Sequence, residues 1–294
     1  MIFGGIEAGG TKFVCGIGNE KGEITNRVSI PTTNPTETMA QVKHFFRGTQ
    51  LDAIGVGSFG PIDLNRNSET YGYIKNTPKM EWKDFDFAGA ISSIWNVPIG
   101  FDTDVNAAAL AESMWGAAEG LPSCLYITIG TGIGAGVIVQ GSMLSGISHP
   151  EMGHVRVRRH PEDHYEGCCP YHHDCLEGLA AGPALEERWG KKGVALKDVD
   201  QVWELEAYYL SEALVNFILT LSPMKIVLGG GVMKQHQLFP LIQKMVQDKL
   251  NGYLSFNELS QENIAQYIVP PGLADDAGLK GAIALAKRAC QSKL

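Results

Sequence analysis

Histidine and cysteine side chains are concentrated between residues 151 and 177, at spacings that suit a metal ion. Five of the eight histidines and three of the six cysteines fall between His154 and Cys175. Zinc binds cysteine thiolates and imidazole nitrogens in tetrahedral sets, with close-spaced ligands joined to others across a loop. The alternative is a polar surface loop that is merely rich in these residues. The clustering favours a zinc site, with the candidate ligands His154, Cys169, His172 and Cys175.

The choice between two adjacent sulfurs, Cys168 and Cys169, stays open on spacing alone. Cys169 is favoured, since it forms the pattern C-x-x-H-x-x-C with His172 and Cys175. Pro170 would also restrict the turn that follows it. Four protein ligands would close the coordination sphere, which is typical of a structural zinc. We therefore expect the metal to shape a site, and the reacting groups to lie elsewhere in the chain.

Three glycine-rich turns follow apolar strand patterns and are candidates for binding phosphate. They lie in EAGGTK (7–12), ITIGTGIGAG (127–136) and VLGGGV (227–232). Glycine lets backbone N–H groups approach phosphate oxygens closely, and hydroxyl groups accompany the first two turns. Glycine is also common in hairpins for conformational reasons, so each turn alone is a weak signal. None of the three has the glycine spacing of a P-loop or of a dinucleotide-binding turn.

Asp104 is the candidate for acid–base chemistry, because it stands where a strand pattern (97–101) gives way to an alanine-rich helix. Open α/β folds bind their ligands at the carboxyl ends of their strands, so a carboxylate there could face a substrate. An aspartate at the start of a helix can also simply cap it. Both interpretations of Asp104 are compatible with the sequence.

Strand and helix patterns alternate along the chain, which predicts the α/β class. Residues 2–17 and 124–143 share the layout of strand, Gly/Thr turn and strand, so they form a loose internal repeat of two hairpins. Further strands are predicted at 53–56, 225–228 and 268–271. Helices are predicted at 176–189, 202–221 and 238–250, and a last helix closes the chain.

The length of 294 residues suits two domains of ordinary size, and the net charge is −8. An acidic chain is a poor partner for nucleic acid. No apolar run reaches membrane-spanning length, and the first residues lack the basic segment and cleavage site of a secretory signal. We expect a cytoplasmic protein without a membrane partner. Cys15, Cys124 and Cys290 are then expected to be buried free thiols.

Several motifs together resemble one family, the ROK sugar kinases. GIEAGGTK, FGPID, DTDVNAA, ITIGTGIGAG, EMGH, CPYHHDCLEG, VLGGGV and DAGLKGA occur in the order found in that family. The opening GGIEAGGTKF and the motif CPYHHDCLEG are most similar to its bacterial fructokinases. The resemblance implies two actin-like ATPase (ribonuclease H-like) domains with a cleft between them. It also implies MgATP as phosphoryl donor and a sugar hydroxyl as acceptor.

The domain limits implied by the resemblance are 1–115 and 116–280, with a C-terminal helix at about 281–294 that packs back on the first domain. Asp104 matches the catalytic base of the family. The residues that match its phosphate-binding turns are Gly9, Gly10, Thr11, Lys12, Thr131, Gly132, Gly134, Gly229, Gly230 and Gly231. Those that match its sugar-binding positions are Gly60, Pro61, Thr103, Asp104, Glu151, His154 and Glu177.

The chain departs from the usual family pattern at several positions. Glu7 replaces an aspartate in the first phosphate turn, and Thr103 replaces a common asparagine, which alters a magnesium contact and a sugar contact respectively. The common C-x-C-G-x-x-G-C motif is also changed, so zinc ligation shifts to Cys169 and His172. A zinc bound to one nitrogen of His154 would leave the other nitrogen for the sugar. The metal is therefore expected to organise the acceptor pocket.

The resemblance implies that the chain phosphorylates a hexose, D-fructose to D-fructose 6-phosphate above all, and that it forms a homodimer. A glucokinase or mannokinase of the same family is the nearest alternative. A sugar-responsive repressor of the family would carry a helix-turn-helix before its first strand, whereas here a strand is predicted from Ile2 and the charge is acidic. A sugar-binding protein without catalysis is a third possibility.

Overall fold

The computed structural model describes residues 1–77 and 79–291. The last three residues of the predicted helix 281–294 lie outside the described residues. Of the described thiols, Cys15 and Cys124 are buried as predicted, whereas Cys290 is half-buried. No helix within the described ranges is long and apolar enough to span a membrane.

The first half of the chain forms a five-stranded sheet in the order β3-β2-β1-β4-β7. Strands β1 to β3 are antiparallel, and β4 and β7 run parallel to β1. A small two-stranded sheet, β5 with β6, lies between β4 and β7 in the sequence. The elements are β1 (Ile2–Ala8), β2 (Lys12–Asn19), β3 (Ile24–Pro31), α1 (Pro35–Phe45), β4 (Ala53–Ser58), β5 (Tyr73–Ile74), β6 (Phe85–Asp86), α2 (Phe87–Ile94) and β7 (Ile99–Thr103).

The second half repeats this topology in a sheet of order β10-β9-β8-β11-β12. Its first strands again form antiparallel hairpins, and its last two are parallel to β8. The internal repeat predicted from the glycine turns is thus confirmed. The elements are α3 (Asp104–Trp115), β8 (Cys124–Ile129), β9 (Ile133–Val139), β10 (Ser142–Met143), α4 (Leu176–Ala180), α5 (Gly182–Trp189), α6 (Asp200–Leu221), β11 (Ile226–Gly229), α7 (Leu238–Leu250), α8 (Ile264–Tyr267), β12 (Ile268–Val269) and α9 (Ala277–Gln291).

Short 3-10 helices complete the described elements. Three of them matter for the site: one ends at His154, one follows the third glycine turn and one precedes α9. They are found at Met80–Trp82, Met152–His154, Gly193–Leu196, Val232–Lys234, Asn257–Leu259 and Ala274–Asp276.

Helices α3 and α9 connect the two sheets. They pack on each other, α3 also contacts β8 and β9, and α9 contacts β1, β4 and β7. The C-terminal helix, which begins at Ala277, therefore lies against the first sheet. Because α3 touches both sheets, the domain limits at 115/116 and 280/281 stay predictions.

The helix predicted at 176–189 and the strand predicted at 268–271 differ most from the structure, and a proline follows the break in each. The helix predicted at 176–189 is divided, because Ala181 is extended and the Gly182 N–H donates to the carbonyl of Gly130 at 2.7 Å. Pro183 then lies in the first turn of the next helix, where its missing N–H costs little. The strand predicted at 268–271 ends at Val269, since Pro270 and Pro271 cannot donate to a neighbouring strand.

The contact between α9 and the first sheet can be tested at Gly55. A Cβ at this position would lie 1.8 Å from the backbone oxygen of Ala282, which cannot move aside as a side chain could. Gly55→Ala should destabilise the protein by about 3 kcal/mol, the upper range of ordinary overpacking. Gly146→Ala is the control, since a Cβ there meets no atom within 4 Å. Thermal unfolding of both variants measures the difference, and equal melting temperatures would contradict this packing.

Candidate active site

Asp104 is the first residue of α3 and follows directly on the carboxyl end of β7. The N-cap of α3 is Thr103, whose hydroxyl accepts a hydrogen bond from the Asn106 N–H at 3.1 Å. Asp104 therefore is not the N-cap. Its Oδ1 accepts from the Val105 N–H at 2.9 Å, and its carboxylate faces the space between the two sheets.

Burial raises the pKa of Asp104 to about 6, and the nearby Glu151 raises it further, against two backbone hydrogen bonds that lower it. Glu7 behaves similarly: burial raises its pKa to about 7, the charge of Asp104 adds to this, and Lys12 opposes it. Two half-buried carboxylates near each other favour a bound cation. The pair suits a magnesium ion carried by a nucleotide, because this ion prefers oxygen ligands.

A cavity of about 630 Å³ opens on one side of Asp104, and we call it the carboxylate cavity. It is formed by both halves of the chain. All the positions matched to sugar binding line it, and so does the turn between β8 and β9. From these predicted sets the lining residues are Gly60, Pro61, Thr103, Asp104, Glu151, His154, Glu177, Thr131, Gly132 and Gly134.

A second cavity of about 500 Å³ opens on the other side of Asp104, and we call it the proline cavity. Asp104, Glu7, Gly229 and Gly230 line it, together with the proline pair after β12. Gly230 has φ +92°, and a Cβ there would lie 2.3 Å from the backbone oxygen of Ile129, so the third glycine turn requires glycine.

Part of the predicted phosphate set is not in these linings. Within the described part of the chain, neither cavity is lined by residues 9–12 of the first glycine turn or by the last glycine of the third turn, namely Gly9, Gly10, Thr11, Lys12 and Gly231. The first turn is nevertheless formed as predicted, since the Gly9 N–H donates to the Lys12 carbonyl at 3.0 Å. Its role in phosphate binding stays a prediction.

Sequence reasoning missed His149, Asn76 and Tyr171, which also line the carboxylate cavity. His149 is buried, and its Nε2 accepts from the Ile62 N–H at 3.5 Å, across the two halves of the chain. Asn76 donates to the Tyr171 hydroxyl at 3.4 Å in the same way. These residues lie in loops. In the sequence, only the place of His149, two residues before Glu151, could have indicated that it belongs to the site.

The proline cavity also contains residues that no motif indicated. They come from β8, from the 3-10 helix after the third glycine turn and from the segment before α9. The clearest examples are Tyr126, Met233, Lys234, His236, Pro271 and Asp275. A lone tyrosine, methionine or proline in a sequence carries no sign of the cavity to which it contributes.

The four predicted metal ligands come together, with their donor atoms all within 4.8 Å of one another. Nδ1 of His154 lies 3.7 Å from the sulfur of Cys169 and 3.5 Å from that of Cys175, and the Cys169 sulfur lies 3.8 Å from Nδ1 of His172. Zinc bonds of about 2.3 Å to sulfur and about 2.0 Å to nitrogen at tetrahedral angles separate S and N by about 3.6 Å. The donor set therefore fits a tetrahedral zinc.

The alternative sulfur, Cys168, is not in this set. Cys169 is buried and Cys168 is only half-buried. The backbone explains the difference, because Cys169 and His173 bond to each other in a tight turn that directs the Cys169 sulfur inwards. The preference for Cys169 agrees with this geometry.

Glu177 connects the metal ligands to the turn between β8 and β9. It lies in the first turn of α4, whose N-cap is the ligand Cys175. Its Oε2 accepts from the Ile133 N–H at 2.9 Å. A Cβ on Gly132 would lie 2.6 Å from the same oxygen, so this turn needs glycine for the carboxylate to fit. This hydrogen bond therefore links the segment of the candidate metal ligands directly to the second glycine turn.

Comparison with known proteins agrees with this architecture. The model of the ROK family matches residues 3–289. The chain belongs to the ROK family. A relative from Bacillus subtilis is 56% identical over 292 residues, which cover 99% of this chain and 97% of the relative. A fructokinase from Pediococcus pentosaceus is 49% identical over 292 residues, covering 99% of this chain and 100% of its own.

Among solved structures, this ROK chain is similar to the ROK hexokinase from Thermus thermophilus. The two have a TM-score of 0.81 and 28% identity, and the match covers 100% of both chains. The repeated sheet order and this likeness confirm the predicted class, an α/β fold of the actin-like ATPase type.

The zinc assignment can be tested by metal analysis. The purified protein should contain about one zinc per chain, as expected for four protein ligands. Cys175→Ser should lose most of this zinc, because it removes a buried thiolate from the set. Cys168→Ser is the matched control and should keep it. Zinc contents that fell equally in both variants, or a metal-free native protein, would contradict the assignment.

Proposed function

We propose that this chain transfers the γ-phosphoryl group of MgATP to D-fructose and forms D-fructose 6-phosphate and ADP. The observation that carries the proposal is the position of Asp104, which lines the carboxylate cavity and the proline cavity at once. A base in this position can face an acceptor hydroxyl on one side and a phosphoryl donor on the other. The family and the fructokinases among its relatives supply the substrate class.

The reaction needs a base, because the attacking hydroxyl must lose its proton. The hydroxyl oxygen forms a bond to the γ-phosphorus while the bond to the β–γ bridging oxygen breaks, and that electron pair leaves with ADP. The proton passes to the carboxylate of Asp104. A pKa raised by burial to about 6 makes this carboxylate a stronger base than an exposed aspartate, yet leaves it ionised at neutral pH.

The carboxylate cavity supplies hydrogen-bonding groups for a polyhydroxylated acceptor. Glu151 and Glu177 offer carboxylate oxygens to sugar hydroxyls. His154 offers its Nε2, because its Nδ1 faces the two metal-binding sulfurs, and a metal on Nδ1 leaves the proton on Nε2. Gly60, Pro61 and Thr103 complete the wall from the first half of the chain.

The nucleotide is assigned to the proline cavity and to the three glycine turns. The apolar part of this cavity, with Met233 and the proline pair, suits a base, and Gly229 and Gly230 suit phosphate because no side chain obstructs their amides. Glu7 faces the same space and would contact the magnesium ion of MgATP or its water. The first turn, with Lys12, would meet the phosphate charge.

A zinc held by His154, Cys169, His172 and Cys175 would serve as a structural ion, since four protein ligands leave no open position. When bound, it would restrain His154 and Cys175 at the start of α4, and therefore the direction of Glu177. Loss of zinc in Cys175→Ser is accordingly expected to weaken sugar binding more than ATP binding. A homodimer and a cytoplasmic location remain predictions, the first to be checked by light scattering.

The proposed reaction is tested by a coupled assay with ATP and a panel of hexoses. D-Fructose should give the highest kcat/KM, and a preference for glucose or mannose would favour the kinases of those sugars. Asp104→Asn should lower kcat by about 10²–10⁴-fold, since an amide cannot take the proton. The control is Asp200→Asn at the first position of α6, which lines neither cavity and should stay near wild type. If the activity of Asp104→Asn stayed within a few-fold of wild type, the assignment of Asp104 as the general base would be wrong.

The pH dependence follows from the raised pKa of Asp104. Only the ionised carboxylate can act as base, so kcat/KM for the sugar should rise with pH and level off above about 7. Below about 6 it should fall close to tenfold per pH unit. Initial rates between pH 5 and 8, with a stability control at each pH, give the profile. A rate that stays constant down to pH 5 would show that protonation of Asp104 does not limit the reaction.

A further inference from the structure

Glu112 is a fully buried carboxylate in α3, and its bonds cross to a distant segment of the chain. Its Oε2 accepts from the N–H groups of Ala117 at 2.7 Å and Gly272 at 3.0 Å, and its Oε1 accepts from the Leu273 N–H at 3.0 Å. Buried carboxylates of this kind hold backbone tightly, because charged hydrogen bonds are strong and expensive to lose.

The packing around Glu112 allows little variation. A Cβ on Gly116 would lie 2.2 Å from its Oε2, and a Cβ on Gly272 would lie 2.5 Å from the backbone nitrogen of Ala117. Both positions therefore need glycine. The end of α3 and the segment 270–273 meet at backbone distance, with the carboxylate between them.

This segment forms a wall of the proline cavity. Pro270 and Pro271 line the cavity, and they have no N–H group with which to fix themselves to a neighbour. Gly272 and Leu273 supply the next two N–H groups, and both donate to Glu112. The wall is thus held from behind by this carboxylate.

The same helix also carries Asp104 at its first position, and Val105 and Ala108 line the proline cavity as well. Glu112 follows Asp104 by eight residues, which corresponds to about 12 Å along a helix. One rigid element therefore bears the base at one end and holds the wall of the cavity at the other.

We propose that Glu112 is a positioning residue that sets the Pro270–Leu273 wall at a fixed distance from Asp104, so that a nucleotide bound there presents its γ-phosphate to the base. The inference rests on the proposed function, because it takes the nucleotide to occupy the proline cavity. Glu112 itself is not a catalytic residue, since it lines neither cavity in the described part of the chain.

The test is Glu112→Gln, which keeps the size of the side chain. Its amide group has one oxygen, so at least one of the three backbone donors faces an NH₂ group instead of an acceptor. We expect KM for ATP to rise about tenfold or more, with KM for fructose within about twofold of wild type. The dissociation constant for ATP without sugar, from calorimetry, should rise in parallel. Amide exchange at Gly272 and Leu273 should accelerate while that of β8 stays slow.

Glu206→Gln is the matched control. Glu206 is also a fully buried glutamate, in α6, but its carboxylate oxygens have no hydrogen-bond partner among the described residues, and it lines neither cavity. It should leave both KM values close to wild type. If Glu112→Gln does not fold, Leu273→Pro is the second variant. It removes the N–H group with which half-buried Leu273 donates to Glu112, and it should also raise KM for ATP.

The outcomes separate this inference from the proposed function. A wild-type chain that phosphorylates no hexose would refute the proposed function, whereas the calorimetric comparison would still measure nucleotide binding. An active wild type with an unchanged KM for ATP in Glu112→Gln, or in Leu273→Pro if the first does not fold, would overturn the inference. Equal increases of both KM values would also overturn it, because they would show a general structural role.

Discussion

The close packing of α9 is the constraint on which the rest of the structure depends. A Cβ on Gly100 would lie 2.3 Å from the backbone oxygen of Leu285, and one on Gly281 would lie 2.3 Å from the backbone of Ala107. Backbone therefore meets backbone on two sides of α9, at β7 and at α3. Interiors packed at this density transmit displacements, because no void is available to absorb them. The last helix of the chain thus fixes the helix that begins with Asp104.

This rigid packing holds two carboxyl groups in positions where their ionisation is unfavourable. The pKa of Asp104 is raised from 3.8 to about 6 and that of Glu7 from 4.5 to about 7, in both cases mainly by burial. A raised carboxyl pKa means that the folded protein binds protons more strongly than the unfolded chain. The stability that these groups add at low pH is lost as pH rises through those two intervals. At neutral pH, ionisation of these two carboxyl groups therefore lowers the stability of the folded protein, and the cation of a bound nucleotide would offset this loss.

The sequence predicted the parts of the fold that local patterns determine. Helix Leu238–Leu250 has its predicted limits, and both glycine hairpins form where apolar strands flank a Gly/Thr turn. The break at Ala181 was missed, because it depends on a hydrogen bond from Gly182 to Gly130, more than 50 residues away. Local periodicity contains no information about such a bond.

The candidate site divides in the same way. The clustering of the four candidate metal ligands could be predicted because coordination chemistry restricts both residue type and spacing. The positions matched to sugar binding share one cavity, as expected from the family motifs that mark them. Asn76 and Tyr171 could not be predicted, since their contact joins two loops across the carboxylate cavity. Other walls of the proline cavity were missed for a different reason: residues such as Tyr126, Met233 and Pro271 belong to no motif, and the fold alone brings them together.

Glu177 shows how a zinc bound at the four candidate ligands would influence chemistry without taking part in it. Its carboxylate reaches the Ile133 N–H only because Cys175 begins α4 two residues earlier and Gly132 leaves room for it. The metal ligands, the helix start and the second glycine turn are thus joined by one hydrogen bond. That turn and Asp104 line the same cavity, so a change in the metal site would reach the reacting groups through a displacement of backbone. The electric charge of the ion need not act on them, since its thiolate ligands neutralise it.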